Sequence, residues 1–270
     1  MGSRTSLAAS LLLGFFNVRL GYWWDSGVKP GRRSGVVTGT AACERVLSWL
    51  FPVQSHLFAE FMARFRGPAR RWWNLSDGGH FENMGGYELI RRRLPLIVIV
   101  DAEADPDYRF EGLGNLVRKA RIDFGAEIEF VAPDKLADDK LVAKRRLGSL
   151  EMLRCGARSP EPASVSPPHR STAHAALAIV RYVDGATPDS LLVYVKPTVL
   201  GNEPVDILNY HVANSDFPQQ TTADQFFDEA QWESYRKLGR LVGDRVFRKG
   251  LRAYLRLRDK HLSNGDQSTS

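Results

Sequence analysis

Asp77 is the residue of this sequence whose type and setting best suit acid–base chemistry. It follows a short apolar segment that ends at Leu75 and precedes Gly78 and Gly79, and paired glycines let a chain turn sharply and approach a ligand closely. A carboxylate in such a turn can orient or deprotonate a nucleophile on a neighbouring loop. The same pattern also predicts a helix N-cap, in which Asp accepts backbone N–H bonds. The local sequence leaves both interpretations open.

The segment after the apolar run Leu96–Val100 carries carboxylates at alternate positions. They are Asp101, Glu103, Asp105 and Asp107. The calcium-loop template fails here, because Pro106 occupies the position of the required glycine and Gly112 that of the twelfth-position glutamate. We therefore expect a solvated acidic loop and no bound metal or other cofactor. A magnesium site and metal-dependent hydrolysis at Asp77 and Asp101 are the alternatives.

The sequence offers no recognisable nucleophile to accompany Asp77. The G-x-S-x-G motif that presents a serine on a sharp turn is absent, as are the Walker and G-x-G-x-x-G loops. His80, His174 and His211 are too scattered for a zinc motif, so structural roles are expected for them. Cys43 and Cys155 lie more than a hundred residues apart, which favours two reduced thiols in a cytoplasmic protein.

Hydrophobic patterning around the candidate residues predicts an α/β fold. A short strand before Asp77, a helix over 83–93 and a strand at Leu96–Val100 form the order expected of a βαβ unit. The aliphatic run Leu96–Val100 is typical of a strand buried on both faces of a parallel sheet. Because ligands bind beyond the carboxyl ends of such strands, the turn at Asp77 and the loop at Asp101 are the expected site positions.

The remaining pattern extends this fold through most of the chain. The expected elements are a helix over 113–122, strands at Ala126–Phe130, Ala175–Tyr182 and Ser190–Val195, a flexible surface insertion at about 135–169, and a basic amphipathic helix over 235–262. No apolar run approaches the roughly 18 residues that a membrane-spanning helix needs. We expect a cytoplasmic protein, with peripheral membrane association as a further option.

The net charge of +6 comes from one segment. Residues 236–260 contain ten Lys and Arg against two Asp, a local charge of +8, which leaves −2 for the rest of the chain. Apolar residues recur through the segment at helical spacing. It can therefore be a helix packed on its own domain or a peripheral anchor for an anionic lipid surface. We expect no nucleic-acid partner, because no base-reading motif accompanies the charge.

A longer match surrounds Asp77. Residues 75–89 read LSDGGHFENMGGYEL and are followed by three arginines and by the apolar run that ends in Asp101. This stretch resembles the aspartate half of bacterial patatin-like phospholipases, whose signature is the D-G-G step. Further segments that resemble the same group lie at 114–125, 194–197, 203–210 and 217–231. The resemblance covers most of residues 1–245, except 25–65 and 135–169.

This resemblance implies a Ser–Asp dyad that hydrolyses lipid or phospholipid esters, on a layered patatin-like sheet flanked by helices. Asp77 matches the catalytic aspartate, Gly78 and Gly79 support its turn or an oxyanion, and Asn83 and Asp101 are candidates to line the site. The serine elbow and the oxyanion loop of the family would precede the point that corresponds to Met1. We therefore expect the C-terminal portion of the domain, with its N-terminal part missing.

Such a portion would be inactive alone, since the nucleophile is absent. Its expected partners are the lipid ester substrate, an upstream polypeptide that carries the G-x-S-x-G half, and an anionic membrane surface. The alternative is a non-catalytic membrane-binding or regulatory remnant of the same fold. A G-x-S-x-G motif encoded upstream would favour the first hypothesis.

Overall fold

The computed structural model of the protein describes residues 22–27, 50–51, 54–55, 72–131, 147–154, 171–185, 187–221, 225–248 and 250–265. The chain forms two compact units, Met1–His80 and Phe81–Ser270. The second unit contains most of the described elements. Among the described residues, no helix combines the length and the apolarity needed to cross a bilayer.

The first unit contains a two-stranded antiparallel sheet. Strand β1 (Tyr22–Asp25) pairs with β2 (Trp72–Leu75), and Trp24 lies opposite Trp73 in the register. Aromatic residues favour such pairing, because large side chains pack across neighbouring strands. Trp24 is 55% exposed and Leu75 is 48% exposed, so this ribbon presents apolar side chains at its surface.

The expected βαβ unit over residues 73–100 is wrong. Strand β2 belongs to the two-stranded sheet, whereas β3 (Leu96–Val100) belongs to a separate five-stranded sheet. The helix between them, α1, is also shorter than expected and spans Gly86–Arg91. The exposure of Leu75 agrees with this separation, since a strand of a covered parallel sheet would be buried on both faces.

The second unit is an α/β layer built on a mixed sheet of five strands. Besides β3, the strands are β4 (Ala126–Phe130), β5 (Leu147–Gly148), β6 (Ala175–Tyr182) and β7 (Ser190–Val195). Their order is β3-β7-β6-β4, and β5 pairs with β6. Strand β3 runs parallel to β7, and β6 is antiparallel to both β7 and β4. The predicted bounds of β3, β4, β6 and β7 are confirmed.

Helices flank both faces of this sheet. They are α1, α2 (Glu111–Phe124), α3 (Leu150–Leu153), α4 (Val205–Ala213), α5 (Glu229–Phe247) and α6 (Arg252–Gly265). Alternate residues of β6 and β7 enter two separate cores, one shared with α1 and α2 and the other with α4, α5 and α6. Strands that face two helical layers are apolar throughout, which is why β6 and β7 stand out in the sequence.

Strand β3 is less buried than its composition predicts. Ile97 and Ile99 are buried in the first core, whereas Leu96 and Val98 are half-buried against the second. Val100 is 61% exposed. Within the described sheet, β3 pairs with β7 alone. Every residue of β7 is buried, and so is every residue of β6 except Arg181.

Two further expectations need correction. Residues 147–154, inside the expected flexible insertion, form β5 and α3, and Leu153 is fully buried in the first core; positions 135–146 and 155–169 of that insertion lie outside the described residues. The single helix expected over 235–262 is two helices, because α5 ends at Phe247 and α6 begins at Arg252. Gly250 has a φ of 74°, the left-handed conformation that commonly ends helices.

Candidate functional site

Asp77 lies in a tight turn two residues beyond the end of β2. Its Oδ1 accepts a hydrogen bond from the Gly79 N–H at 3.0 Å, and its backbone carbonyl accepts one from the His80 N–H at 3.1 Å. The side chain therefore caps the single 3₁₀ turn Gly78–His80, as the N-cap interpretation predicts. Asp77 is exposed, and its Oδ2 makes no hydrogen bond within the described part of the chain. One oxygen holds the turn, and the other remains accessible.

The two glycines after Asp77 are not required by backbone conformation. The glycines with positive φ lie elsewhere in the described residues, and neither Gly78 nor Gly79 is among them. A Cβ added at Gly78 would meet no atom within 4 Å. Within the described residues, neither steric crowding nor backbone conformation requires glycine at position 78.

His80 reaches back to the start of this turn. Its Nδ1 lies 3.3 Å from Ser76 Oγ and 3.2 Å from the Asp77 carbonyl oxygen. An Nδ1–H would donate to both oxygens and close the turn, which agrees with the structural role expected for His80. The sequence analysis missed this Ser76–His80 contact, although the spacing of four residues was a usable signal.

Asp101 occupies a buried position at the carboxyl end of β3. Because β3 and β7 run parallel with Val100 opposite Val195, the residues just beyond them lie side by side. Asp101 is 2% exposed and Lys196 is fully buried. Lys196 Nζ donates to Asp101 Oδ2 at 3.0 Å, Tyr194 donates its hydroxyl to the same oxygen, and the Glu103 N–H donates to Oδ1 at 2.8 Å.

The surroundings of Tyr194 keep its phenol protonated. Burial, together with the adjacent Asp101 charge, raises the pKa of Tyr194 far above its ordinary value of 10.0, so the phenol stays a hydrogen-bond donor. Lys196 also donates to the Glu103 carbonyl oxygen at 3.3 Å. With both oxygens of Asp101 engaged inside the protein, this carboxylate serves as the anchor of the loop. The expectation of a solvated acidic loop is therefore wrong at Asp101, which is buried.

Two further carboxylates of the acidic loop, Glu103 and Asp105, accept hydrogen bonds from neighbouring residues. Asn83 donates its side-chain amide to Glu103, and Asp105 accepts from the N–H groups of Arg109 and Phe110, each at 2.8 Å. Among the described residues, no three side chains of the types that bind metals lie together. The structure therefore gives the magnesium alternative no support.

The candidate residues fall into two groups. Asp77, Gly78 and Gly79 belong to the first unit, and Asn83 and Asp101 belong to the second. In the second unit, Glu103 links the two candidates, since it accepts from Asn83 through its side chain and donates its N–H to Asp101. Asn83 therefore supports the acidic loop.

A buried polar network, which the sequence analysis did not anticipate, lies beside Lys196. His174 is fully buried, and its Nδ1 is 2.9 Å from Thr198 Oγ1, which itself donates to the Ala173 carbonyl. The hydroxyl must therefore accept from an Nδ1–H, and His174 Nε2 accepts from Arg245 Nη1 at 3.0 Å. This bonding is the structural role expected for His174.

Comparison with protein-family models, with curated proteins and with solved structures finds no match to this chain.

Proposed function

We propose that this chain carries the aspartate of a serine–aspartate lipid acyl hydrolase of the patatin-like phospholipase class, and that another polypeptide supplies the serine. The observation that carries the proposal is the state of Asp77. Its carboxylate is exposed at a strand end and oriented by the Gly79 N–H through one oxygen. A general base needs this combination of fixed orientation and an accessible oxygen.

The chemistry proceeds through a covalent acyl intermediate. Asp77 Oδ2 takes the hydroxyl proton of the serine as the serine oxygen attacks the ester carbonyl carbon. The tetrahedral oxyanion is stabilised by backbone N–H groups on the serine-bearing half. The carbonyl re-forms, the C–O bond to the lipid alcohol breaks, and Asp77 returns its proton to that oxygen. Asp77 then takes a proton from water as the water oxygen attacks the acyl carbon. The C–O bond to serine breaks, Asp77 returns the proton to the serine oxygen, and the fatty acid is released.

The fold is compatible with this proposal. The mixed five-stranded sheet flanked by helices suits a patatin-like layered arrangement, in which we place this chain as the C-terminal portion. The part of the domain that precedes it would contribute the serine elbow and the oxyanion loop. Asp101, Tyr194 and Lys196 would then stabilise the sheet end, without touching substrate.

Complementation tests the proposal. The full chain is purified alone, and is also co-expressed with the nucleophile-bearing half of a bacterial patatin-like phospholipase or with the polypeptide encoded directly upstream. Hydrolysis of a short-chain p-nitrophenyl ester should appear only in the combined preparation. Turnover by the chain alone would contradict the proposal, and so would an inactive, well-folded complex of the two halves.

A second candidate function is a non-catalytic membrane-binding or regulatory protein that associates peripherally with a bilayer. The observation that favours it is the concentration of positive charge in residues 236–260. Lipid binding by a chain that no complementing half makes active would favour this candidate over the hydrolase.

A further inference from the structure

Most of the positive charge on α5 is neutralised by neighbouring carboxylates. Arg236 pairs with Glu233 at 2.6 Å, and Lys237 pairs with Asp206 at 3.0 Å. Arg245 is largely withdrawn into the buried network, where it contacts Glu203 at 3.3 Å. The surface of α5 is therefore less positive than the net charge of the C-terminal segment suggests.

Around the connection between α5 and α6, the positive charges are not neutralised in this way by carboxylates of the described residues. Arg248, Arg252 and Arg256 are exposed, and none of them forms an ion pair with any residue of the described ranges. Arg252 and Arg256 are four residues apart on α6, so they lie on one face of the helix. Leu251, at the connection itself, is 51% exposed. Three arginines that have no ion-pair partner among the described residues thus lie close in sequence to the exposed Leu251.

The opposite face of α6 holds this surface in place. Tyr254 is fully buried in the second core, and its hydroxyl donates to the Val246 carbonyl oxygen at 2.7 Å. Leu257 packs against the same core. Because Tyr254 faces inward between Arg252 and Arg256, the two arginines are directed outward by a helix that is fixed to α5. Arg252 and Arg256 therefore occupy fixed, outward positions on α6.

We propose that Arg248, Leu251, Arg252 and Arg256, here called the α5–α6 surface, dock on a bilayer that contains anionic phospholipid. Guanidinium groups bind phosphate oxygens in forked geometry, and an aliphatic side chain among them can enter the interfacial region of the bilayer. The four residues include no aromatic side chain on which a nucleic-acid base could stack. The proposal does not depend on Asp77, since binding is measured without turnover.

The test is co-sedimentation of the full chain with vesicles of phosphatidylcholine, with and without phosphatidylglycerol. Binding is expected only with phosphatidylglycerol, and it should weaken as salt is added because screening shortens the range of the attraction. The variant R252Q/R256Q should bind about 25-fold more weakly, since each arginine near such a surface contributes about fivefold. Glutamine suits exposed helix positions, so this variant should fold.

The matched control is R236Q/R240Q, which also removes two positive charges, but from exposed positions of α5. Its vesicle binding should change by less than about threefold, because those residues lie away from the proposed contact. The variant L251Q provides a second measure outside the helices, and it should weaken vesicle binding without changing the net charge.

Three results would overturn the proposal. The first is equal binding to vesicles with and without phosphatidylglycerol, and the second is an equal loss of binding in the two double variants. The third is binding of the chain to single-stranded polyuridylate but not to vesicles, which would make the surface a nucleic-acid site. None of these results depends on hydrolysis, so each is distinguishable from failure of the acyl-hydrolase proposal.

Discussion

At the scale of single residues, Asp77 and Asp101 show how one side-chain type takes different roles in different surroundings. Both follow strands, but Asp77 is exposed with one oxygen bonded by a backbone N–H, whereas Asp101 is 2% exposed and has three donors. The sequence predicted that both positions were strand ends. It could not predict the difference, because the donors to Asp101 include Tyr194 on β7 and Lys196 directly after it, about ninety residues later in the sequence.

Lys196 illustrates the same limit. Lysine is rarely buried, and nothing in the segment Tyr194–Pro197 indicates that this side chain is fully enclosed. A usable signal did exist, since Asp101 and Lys196 each come directly after an apolar strand and the two strands are parallel. Pairing of those strands would place the two charges together, but the order of strands in the sheet had to be known first.

The Asp101–Lys196 pair should be important for stability. Asp101→Ala leaves a buried ammonium without its partner, so the free energy of unfolding should fall by about 3–5 kcal/mol. The double variant Asp101→Ala/Lys196→Met removes that unpaired charge and should be more stable than the single variant. Urea unfolding monitored by fluorescence gives both values.

A surface pair on the same sheet provides the control. Glu129 and Arg181 form an ion pair across β4 and β6, with side chains 57% and 52% exposed. Glu129→Ala should lower the free energy of unfolding by no more than about 1 kcal/mol. A similar loss for Asp101→Ala would mean that the buried pair is not the anchor described above.

Tyr194 should make stability depend on alkaline pH. Its folded-state pKa is raised above the ordinary value of 10.0 by burial and by Asp101, so the folded chain retains a proton that the unfolded chain loses. The unfolded state then binds fewer protons, and the free energy of unfolding falls as pH rises above about 10.

Tyr194→Phe removes this ionisation, so the decline above pH 10.0 should become shallower by up to about 1.4 kcal/mol per pH unit. Urea unfolding of both proteins at several alkaline pH values measures the two slopes. Parallel slopes would show that Tyr194 titrates normally in the folded chain.

At the scale of elements, the sequence predicted best where one local pattern decides the structure. Strands β6 and β7 are mostly apolar and, apart from Arg181, buried, and their predicted bounds are confirmed. The prediction of a single C-terminal helix over 235–262 was wrong for a local reason. Its apolar periodicity continues through the break, and only Gly250, with its positive φ, marks the end of α5.

Helix α1 packs so closely on the sheet that it excludes a side chain at Gly86. A Cβ there would lie 2.6 Å from Ile99 Cδ1 and 2.7 Å from Leu116 Cδ2. Gly86→Ala should therefore lower the free energy of unfolding by about 1–3 kcal/mol, as overpacked cores do. Thermal or urea unfolding measures the change.

Gly239 is the matched position for this substitution. It lies inside α5, and a Cβ there would meet nothing within 4 Å. Gly239→Ala should raise the free energy of unfolding by about 0.5–1 kcal/mol, because alanine favours the helix and restricts the unfolded chain. If both variants shifted stability in the same direction, the close packing of α1 would be refuted.

At the scale of the whole molecule, the class of fold was predictable and its topology was not. Alternating helix and strand patterns indicated an α/β protein, and the second unit is one. Pairing of β1 with β2 joins segments about fifty residues apart, and no local pattern reports such contacts. The βαβ unit was therefore wrongly predicted over residues 73–100, because the sheet that a strand joins depends on its pairing partner, and the strand's own sequence does not identify that partner.

If Asp77 acts as a catalytic base as well as a turn cap, as we propose, the substitution Asp77→Asn separates the two roles. Asparagine keeps an oxygen that can accept from the Gly79 N–H, so the thermal unfolding of the chain should be unchanged. It cannot take a proton from serine, so ester hydrolysis by the complemented enzyme should fall by about 10²–10⁴-fold. An unchanged rate in this variant would contradict the account and leave Asp77 with the cap alone.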